Sequence, residues 1–581
     1  MPPNFGKFDG SGVSGSTGRG RSQALESKVR FADDTTGINH RWMGNYQFIN
    51  LILARRNRGN ISGGGNLKFV GLSWMNFRTD ASMMPITPEN SRFPRMTTRR
   101  DFFRLAAETA TLAMLPGRSL AAEQNHRPHE TTRVIQRGRP LRDLQQQFVD
   151  LRFGMFLHFN MATFQDREWG DPTSSPELFH PTALDTDQWA AAAKSANMTW
   201  GCLTTRHHDG FCIWPTKTRG ASVRQTSHQT DIVRAYVNSF RAAGLRVGLY
   251  YSILSLRDDI RHFNITPDKV RLVKDQLTEL FTNYGEIDVL ITDGWNAPWS
   301  RITYEEMPFR EIYEHIKALQ PNCLISDLNA SQFPSGGLYY SDIKAFEQNA
   351  GQKVPQQSDL PAISCVTITP EWFWKPRDVN GDLKPTATVV DEWLVPLNSR
   401  HCNLILNAPP TREGRLAPNV ISRLQEIGRA WKHPGPAGRI SEHAVITTPN
   451  LATAKPIHAS SYPEGSGPDE ANDGSFQSSW YLDEGLTSGW LEVDLMKEHS
   501  FNVVSLVEPV GRGDDYKMSR IKSYRFQRWD GANWVTLMEG GSPTTTIHRI
   551  PRVTARRVRL AFESSHDKPH IADIGVYDEP S

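Results

Sequence analysis

A chain of 581 residues has room for two or three domains. Its 66 Lys+Arg against 63 Asp+Glu leave a formal net charge of +3, a balance that gives no electrostatic case for nucleic acid as a partner. Cys202, Cys212, Cys323, Cys365 and Cys402 show no CxxC spacing and leave one over if the others pair, which argues against a disulfide scaffold or a cysteine metal site.

Residues 1–95 carry Gly-rich patches such as Ser62-Gly63-Gly64-Gly65 and many arginines, and read as a disordered or misassigned N-terminal extension. At Met96 the pattern changes. Arg99-Arg100 is followed by Phe102-Phe103, a weakly apolar stretch from Ala106 to Leu115 and the small-residue site Ser119-Leu120-Ala121. Segment 96–122 resembles a bacterial twin-arginine signal peptide, which implies a periplasmic or secreted protein with a mature start near Ala122. Segments 42–53 and 105–115 are too short or too polar to span a bilayer, so no integral membrane segment is expected.

Residues 123–147 form a polar lead-in. From 148 to 435 short apolar runs alternate with amphipathic stretches. The strand-like runs are 151–157, 199–205, 245–251, 287–293, 322–327, 338–347, 362–368 and 401–407. Asp187–Ser195, Gln229–Ala243 and Pro267–Tyr284 read as helices, the first with Thr186 as its N-cap. Eight strands at this spacing predict an α/β fold, a (β/α)8 TIM-like barrel. The alternative is an open doubly wound sheet, but no GxGxxG follows any strand. Composition shifts around Pro434-Gly435-Pro436. Alternating runs at Gly489–Leu495, Ile521–Phe526 and Arg557–Phe562 then predict an all-β sandwich over 436–581.

The chemistry sits where strands end. Asp293 closes the run Ile287–Thr292, which would hold its carboxylate rigidly at the barrel mouth as nucleophile, base or metal ligand. His207 and His208 are adjacent and would point to opposite faces of a strand. Both reach one ligand only if the strand ends and turns at Asp209-Gly210. Zinc on His158, His207 or His208 and Asp293 is the rival reading, yet no HxH or HExxH occurs, and hydrogen bonding to vicinal hydroxyls fits equally well. An acid partner for Asp293 belongs at another strand end. Glu347 and Glu371 are candidates, with Asp327 and Asp342 behind them. Two carboxyls roughly 5–5.5 Å apart would retain anomeric configuration, and roughly 6.5–9.5 Å would invert it.

Taken together, the motifs resemble an α-L-fucosidase of glycoside hydrolase family 29. The matching pieces are Arg152–Phe159, Glu168-Trp169-Gly170, Phe179-His180-Pro181, Arg206–Phe211 with Trp214, Gly248–Ser252, Tyr284-Gly285, Thr292–Trp295 and Asn403–Pro410 with Gly414. The resemblance implies a retaining, exo-acting hydrolase without cofactor or metal, releasing terminal α-L-fucose from an oligosaccharide or glycoconjugate. By that resemblance Asp293 is the nucleophile and Glu347 the acid/base, with Glu371 second. His158, Glu168, Trp169, His207, His208 and Tyr250 would hold the sugar, and Trp295 and Trp374 would pack against its C5 methyl. The chain departs from the family at Arg206, where lysine is usual, and at Ile291-Thr292, where Trp-Phe is common. Asn450-Leu451-Ala452, Asn472-Asp473-Gly474, Trp490–Leu495, Trp529-Asp530-Gly531 and Ala555–Leu560 resemble discoidin, or coagulation factor 5/8 type C, modules, which implies a second glycan contact there or a structural role. The alternatives are a catalytically inactive glycan-binding protein, or a related barrel glycosidase of different sugar specificity.

Overall fold

The computed structural model describes residues 138–580 except 335, 357, 510–519, 542–544 and 566–567. The expected extension 1–95 and export segment 96–122 lie outside the described residues. Among those described, no helix is long and apolar enough to cross a membrane.

Eight parallel strands build one sheet: β1 Phe153–Leu157, β2 Trp200–Arg206, β3 Arg246–Ser252, β4 Val289–Asp293, β5 Leu324–Asp327, β6 Lys344–Glu347, β7 Ala362–Thr367 and β8 Cys402–Asn407. Their order is β5-β4-β3-β2-β1-β8-β7-β6, a nearly closed TIM-like barrel. Every residue of β1, β2, β4, β5, β7 and β8 is buried, as expected for parallel strands covered on both faces. Helices α2 Thr186–Ser195, α3 Ile232–Ala242, α4 Pro267–Asn283, α5 Phe309–Leu319 and α7 Pro418–Ala430 lie among the connections, with α6 Val395–Asn398 continuing a π-helical stretch, Thr388–Leu394. The five cysteines are buried and free.

Two local expectations are revised. The cap of α2 is Asp185, whose carboxylate accepts from Gln188 N at 2.9 Å, because the Thr186 hydroxyl is already bonded to Ser239 Oγ on α3 at 2.7 Å. The run 338–347 is not one strand. Leu338–Tyr339 pairs with Val445–Ile446, Tyr340 turns at a φ of 50°, and only Lys344–Glu347 enters the barrel.

That turn leaves β5 and β6 joined by one main-chain bond and several side-chain bonds. Asp342 N donates to Ile325 O at 2.7 Å, and the Asp342 carboxylate accepts from Ile325 N at 2.9 Å. Ser341 Oγ accepts from Asp327 N at 2.8 Å, and Ser326 Oγ donates to Ile343 O at 3.0 Å. Asp342 also accepts from the Tyr313 hydroxyl at 2.8 Å and pairs with Lys317 at 2.7 Å.

Helix α1, Leu141–Asp150, precedes β1. It places Leu144 and Phe148 in one apolar cluster with Phe156, Trp200, Ile291 and Ile405. Phe148 meets Trp200 edge-on at 5.3 Å. The Trp200 indole lies so close to Gly154 that a Cβ there would stand 2.4 Å from the ring. The interior is thus filled from the N-terminal end, and ligands are left the C-terminal mouth.

The sandwich has β9 Ile457–Ala459, β10 Gly489–Val507, β11 Ile521–Trp529, β12 Trp534–Gly540, β13 Thr545–Ser565 and β14 Asp573–Tyr577. They pair antiparallel in the order β9-β10-β13-β11-β12, with β14 also on β10. Leu491, Val493 and Leu495 alternate inward to meet Phe526, Leu560 and Phe562. The domain is tied to the barrel by buried Glu579. Its carboxylate accepts from Thr447 N at 2.6 Å, Thr448 N at 2.8 Å and Arg310 of α5 at 3.2 Å. Phe476 adds a ring contact to Phe333 at 5.7 Å.

Candidate active site

A cleft of about 510 Å³, open mouth included, lies at the C-terminal ends of the barrel strands. Asp293 and Glu347, the last residues of β4 and β6, both line it. So do His158, Glu168, Trp169, His207, His208 and Tyr250. Its other walls are Phe156, Trp299, Leu328 and Trp372.

Each oxygen of the Asp293 carboxylate has a donor. The Tyr250 hydroxyl reaches Oδ2 at 2.7 Å and Asn329 Nδ2 reaches Oδ1 at 2.7 Å. Burial raises the Asp293 pKa above the ordinary carboxylate value, and these two bonds work against the rise. Glu347 is pushed up to about 7, first by burial and then by the Asp293 charge, with a Trp372 hydrogen bond opposing. The two carboxyls are therefore disposed to differ: Asp293 is held as an acceptor by neutral donors, and Glu347 keeps a proton near neutrality.

The three histidines are neutral. Burial lowers His158 and His208 to about 3 and lowers His207 as well; the His158 imidazole lowers His207 and His208 further, whereas the Asn407 hydrogen bond works against the drop at His158. Their hydrogen bonds fix two tautomers. Asn407 Oδ1 accepts from His158 N at 3.2 Å and contacts Nδ1 at 2.8 Å, so Nδ1 carries the proton and Nε2 is an acceptor. Ser252 Oγ spends its proton on Leu254 O at 2.8 Å, so it accepts from His208 Nδ1 at 2.8 Å and leaves that Nε2 free to accept. His208 Nε2 stands 3.6 Å from Asp293 Oδ2. His207 Nδ1 is buried with no protein partner, a cost that a ligand hydroxyl would remove.

Both histidines enter one cleft because β2 ends at Arg206 and Gly210 takes a φ of 94°. A Cβ at Gly210 would lie 2.2 Å from Ser255 Oγ, so the turn requires glycine. Arg206 points away from the cleft. It is buried beneath Tyr251 at 4.2 Å, and donates to Gln276 Oε1 at 2.7 Å and Ser252 O at 2.6 Å, steadying the strand end that holds His208. Thr292 likewise turns to Asp327 Oδ1 at 3.2 Å.

Other expected residues are dispersed. Gly294 has a φ of 104°, which sends Trp295 into the core against Phe309, its Nε1 donating to Met307 O at 2.8 Å. Trp374 is buried outside the cleft lining. Glu371 also lies outside it, paired with Lys375 and with Arg377 at 2.8 Å. Asp327 accepts from the Tyr304 hydroxyl at 2.7 Å, and Asp342 closes the barrel. Glu168 accepts from Trp372 N at 2.9 Å and so sets the Trp372 wall. Trp169 and Trp299, 37% and 43% exposed, form an aromatic rim around His208, with rings 4.6 and 4.4 Å from it. Among the described residues, no group of three or more His, Cys, Asp or Glu has a metal-holding arrangement.

Asn407 and Asn329 carry geometry that no motif of reactive groups announces. Both follow the strand-end rule that picks out Asp293: Asn407 ends β8, and Asn329 stands two residues past β5.

Two unlike carboxyls at a β/α-barrel mouth are the groups that glycoside hydrolysis calls for. Residues 172–435 match the family model described as Alpha-L-fucosidase, and residues 456–575 that of the F5/8 type C domain. Alpha-L-fucosidase 1 of Arabidopsis thaliana is 26% identical over 73% of this chain and 84% of its own. Tissue alpha-L-fucosidase of Bos taurus is 23% identical over 64% and 78%. A Ruminococcus gnavus GH29 fucosidase solved in complex with fucose is 21% identical, with a TM-score of 0.42 over 75% of this chain and 94% of that one. The chain thus carries an alpha-L-fucosidase family domain, followed by an F5/8 type C domain.

Proposed function

We propose that the protein is a retaining, exo-acting α-L-fucosidase. The observation that carries this is the pairing in one cleft of Asp293, gripped at both oxygens, with Glu347, whose buried carboxyl is pushed up to about 7. Asp293 attacks the anomeric carbon while Glu347 gives its proton to the departing glycosidic oxygen. The C1–O bond breaks and a glycosyl ester forms on Asp293. Glu347, now a carboxylate, takes a proton from water, which attacks C1 and releases fucose and free Asp293. His158 and His208 offer acceptor nitrogens to sugar hydroxyls, as does His207, while Glu168, Trp169 and Tyr250 complete the contacts. Phe156, Leu328 and Trp372 supply the apolar wall for the C5 methyl, a role the sequence suggested for Trp295 and Trp374.

The test is hydrolysis of aryl α-L-fucoside and of α1,2-, α1,3-, α1,4- and α1,6-linked oligosaccharides, with product anomer followed by NMR. Release of β-fucose first, or no release from any substrate, overturns the reading. The C-terminal domain is assigned a second glycan contact. Glycan binding by the Asp293→Ala chain should then persist when the cleft is saturated with fucose. Export through Arg99-Arg100 places the mature protein in the periplasm or outside the cell. N-terminal sequencing should give a start near Ala122, and Arg99→Lys with Arg100→Lys should retain the protein in the cytoplasm.

A further inference from the structure

Lys344 is buried within the barrel wall, and its Nζ donates to Ala330 O at 2.9 Å, Phe333 O at 3.0 Å and Pro334 O at 3.3 Å. Burying an ammonium is costly, and here its three donors are matched to three carbonyls of one short segment. That segment follows β5 and begins with a 3-10 turn, Leu328–Gln332. Its first two residues face the chemistry: Leu328 lines the cleft and Asn329 holds Asp293 Oδ1. The other donor on Asp293, Tyr250, is fixed by the strand β3 that carries it. Asn329 has no strand beneath it and depends on the path of the loop.

We propose that Lys344 is a positioning residue for the nucleophile, clamping the segment Ala330–Pro334 so that Asn329 keeps Asp293 aimed at the anomeric carbon. This rests on Asp293 being the nucleophile. A carboxylate released at one oxygen rotates about its Cβ–Cγ bond and loses the line of attack. Misplacement of a reacting group by an ångström costs on the order of 100-fold in rate. His158 and His208 are held by Asn407 and Ser252 and not by this segment, so the loss belongs in kcat.

The experiment is a double-mutant cycle on the full chain with an aryl α-L-fucoside. Asn329→Ala is expected to lower kcat on the order of 10- to 100-fold with KM within about threefold. Lys344→Met is expected to lower kcat about tenfold or more in the wild-type background. Added to Asn329→Ala, it should cost less than about twofold, because the clamp has nothing left to aim. Losses that multiply, a full-rate Lys344→Met enzyme, or an effect confined to KM would each overturn the proposal. If Lys344→Met does not fold, Lys344→Gln, whose shorter side chain offers two amide N–H donors for three carbonyls and no charge, is run through the same cycle with the same criteria. Asp293→Ala separates the two readings. If it is as active as wild type, the nucleophile assignment has failed; if it is dead while Asn329→Ala is unimpaired, only the positioning role has.

Discussion

Asp293 and Glu347 differ by what surrounds them, and each makes a different prediction. Asp293→Ala should fold normally and lose turnover by about 1,000-fold or more, since no other group can form the glycosyl ester. Added azide should restore part of the rate on an activated aryl fucoside and yield the β-fucosyl azide, since one displacement from the vacated nucleophile side inverts C1. Near wild-type turnover without azide would remove the assignment. Glu347→Ala should cost natural oligosaccharides about 100- to 10,000-fold and a dinitrophenyl fucoside far less, because only the poorer leaving group needs the proton. Equal losses on both substrates would place the acid elsewhere. The pH dependence follows from the direction of the shift. Glu347 is raised from 4.5 to about 7, so its working acid form is present below that value and is lost as pH rises through it. The alkaline limb of kcat/KM should fall near pH 7 in the wild type and be absent in Glu347→Gln.

At the scale of elements, packing at the closed end of the barrel is tested by Gly154→Ala. A Cβ 2.4 Å from the Trp200 indole must displace a ring that is also bonded to Asn403 Oδ1 at 3.3 Å. The expected cost is about 1–3 kcal/mol, read as a lower urea midpoint at unchanged slope. The elements themselves were legible where one interaction dominates. Runs such as Val289–Asp293 are apolar throughout because both faces are buried, and strands ending in polar residues marked the mouth. Legibility failed where a side chain chose between two partners. Thr186 could have capped its helix, but a serine on α3 lay within reach and Asp185 stood one residue earlier. Trp295 stands two residues past Asp293 in sequence, yet the positive φ of Gly294 carries it into the core against Phe309. Glu371 and Glu347 are alike in a string of letters; only the basic neighbours of Glu371, Lys375 and Arg377, separate an ion-paired carboxylate from one that titrates near 7.

For the whole molecule, the two domains meet through Glu579, which satisfies two main-chain N–H groups of the linker at 2.6 and 2.8 Å. Glu579→Ala strands those donors and Arg310, with an expected loss of about 2–3 kcal/mol at the junction. Calorimetry should then resolve two transitions, or one lowered transition if the domains remain cooperative; an unchanged thermogram would show that the junction carries no stability. The barrel has its own junction, between β5 and β6, where a strand ladder is replaced by Asp342, Ser341 and Ser326. A ring closed by a clasp breathes at the clasp. The amides of Ile325 and Asp327 answer to side chains, so they should exchange for deuterium ahead of those in Val289–Asp293, and Ser341→Ala should hasten them further. Asn329 lies just past that clasp, so each opening there briefly loosens the grip on Asp293. The rhythm of the enzyme's ground state is then set at a place in its wall where side chains stand in for most of the backbone ladder.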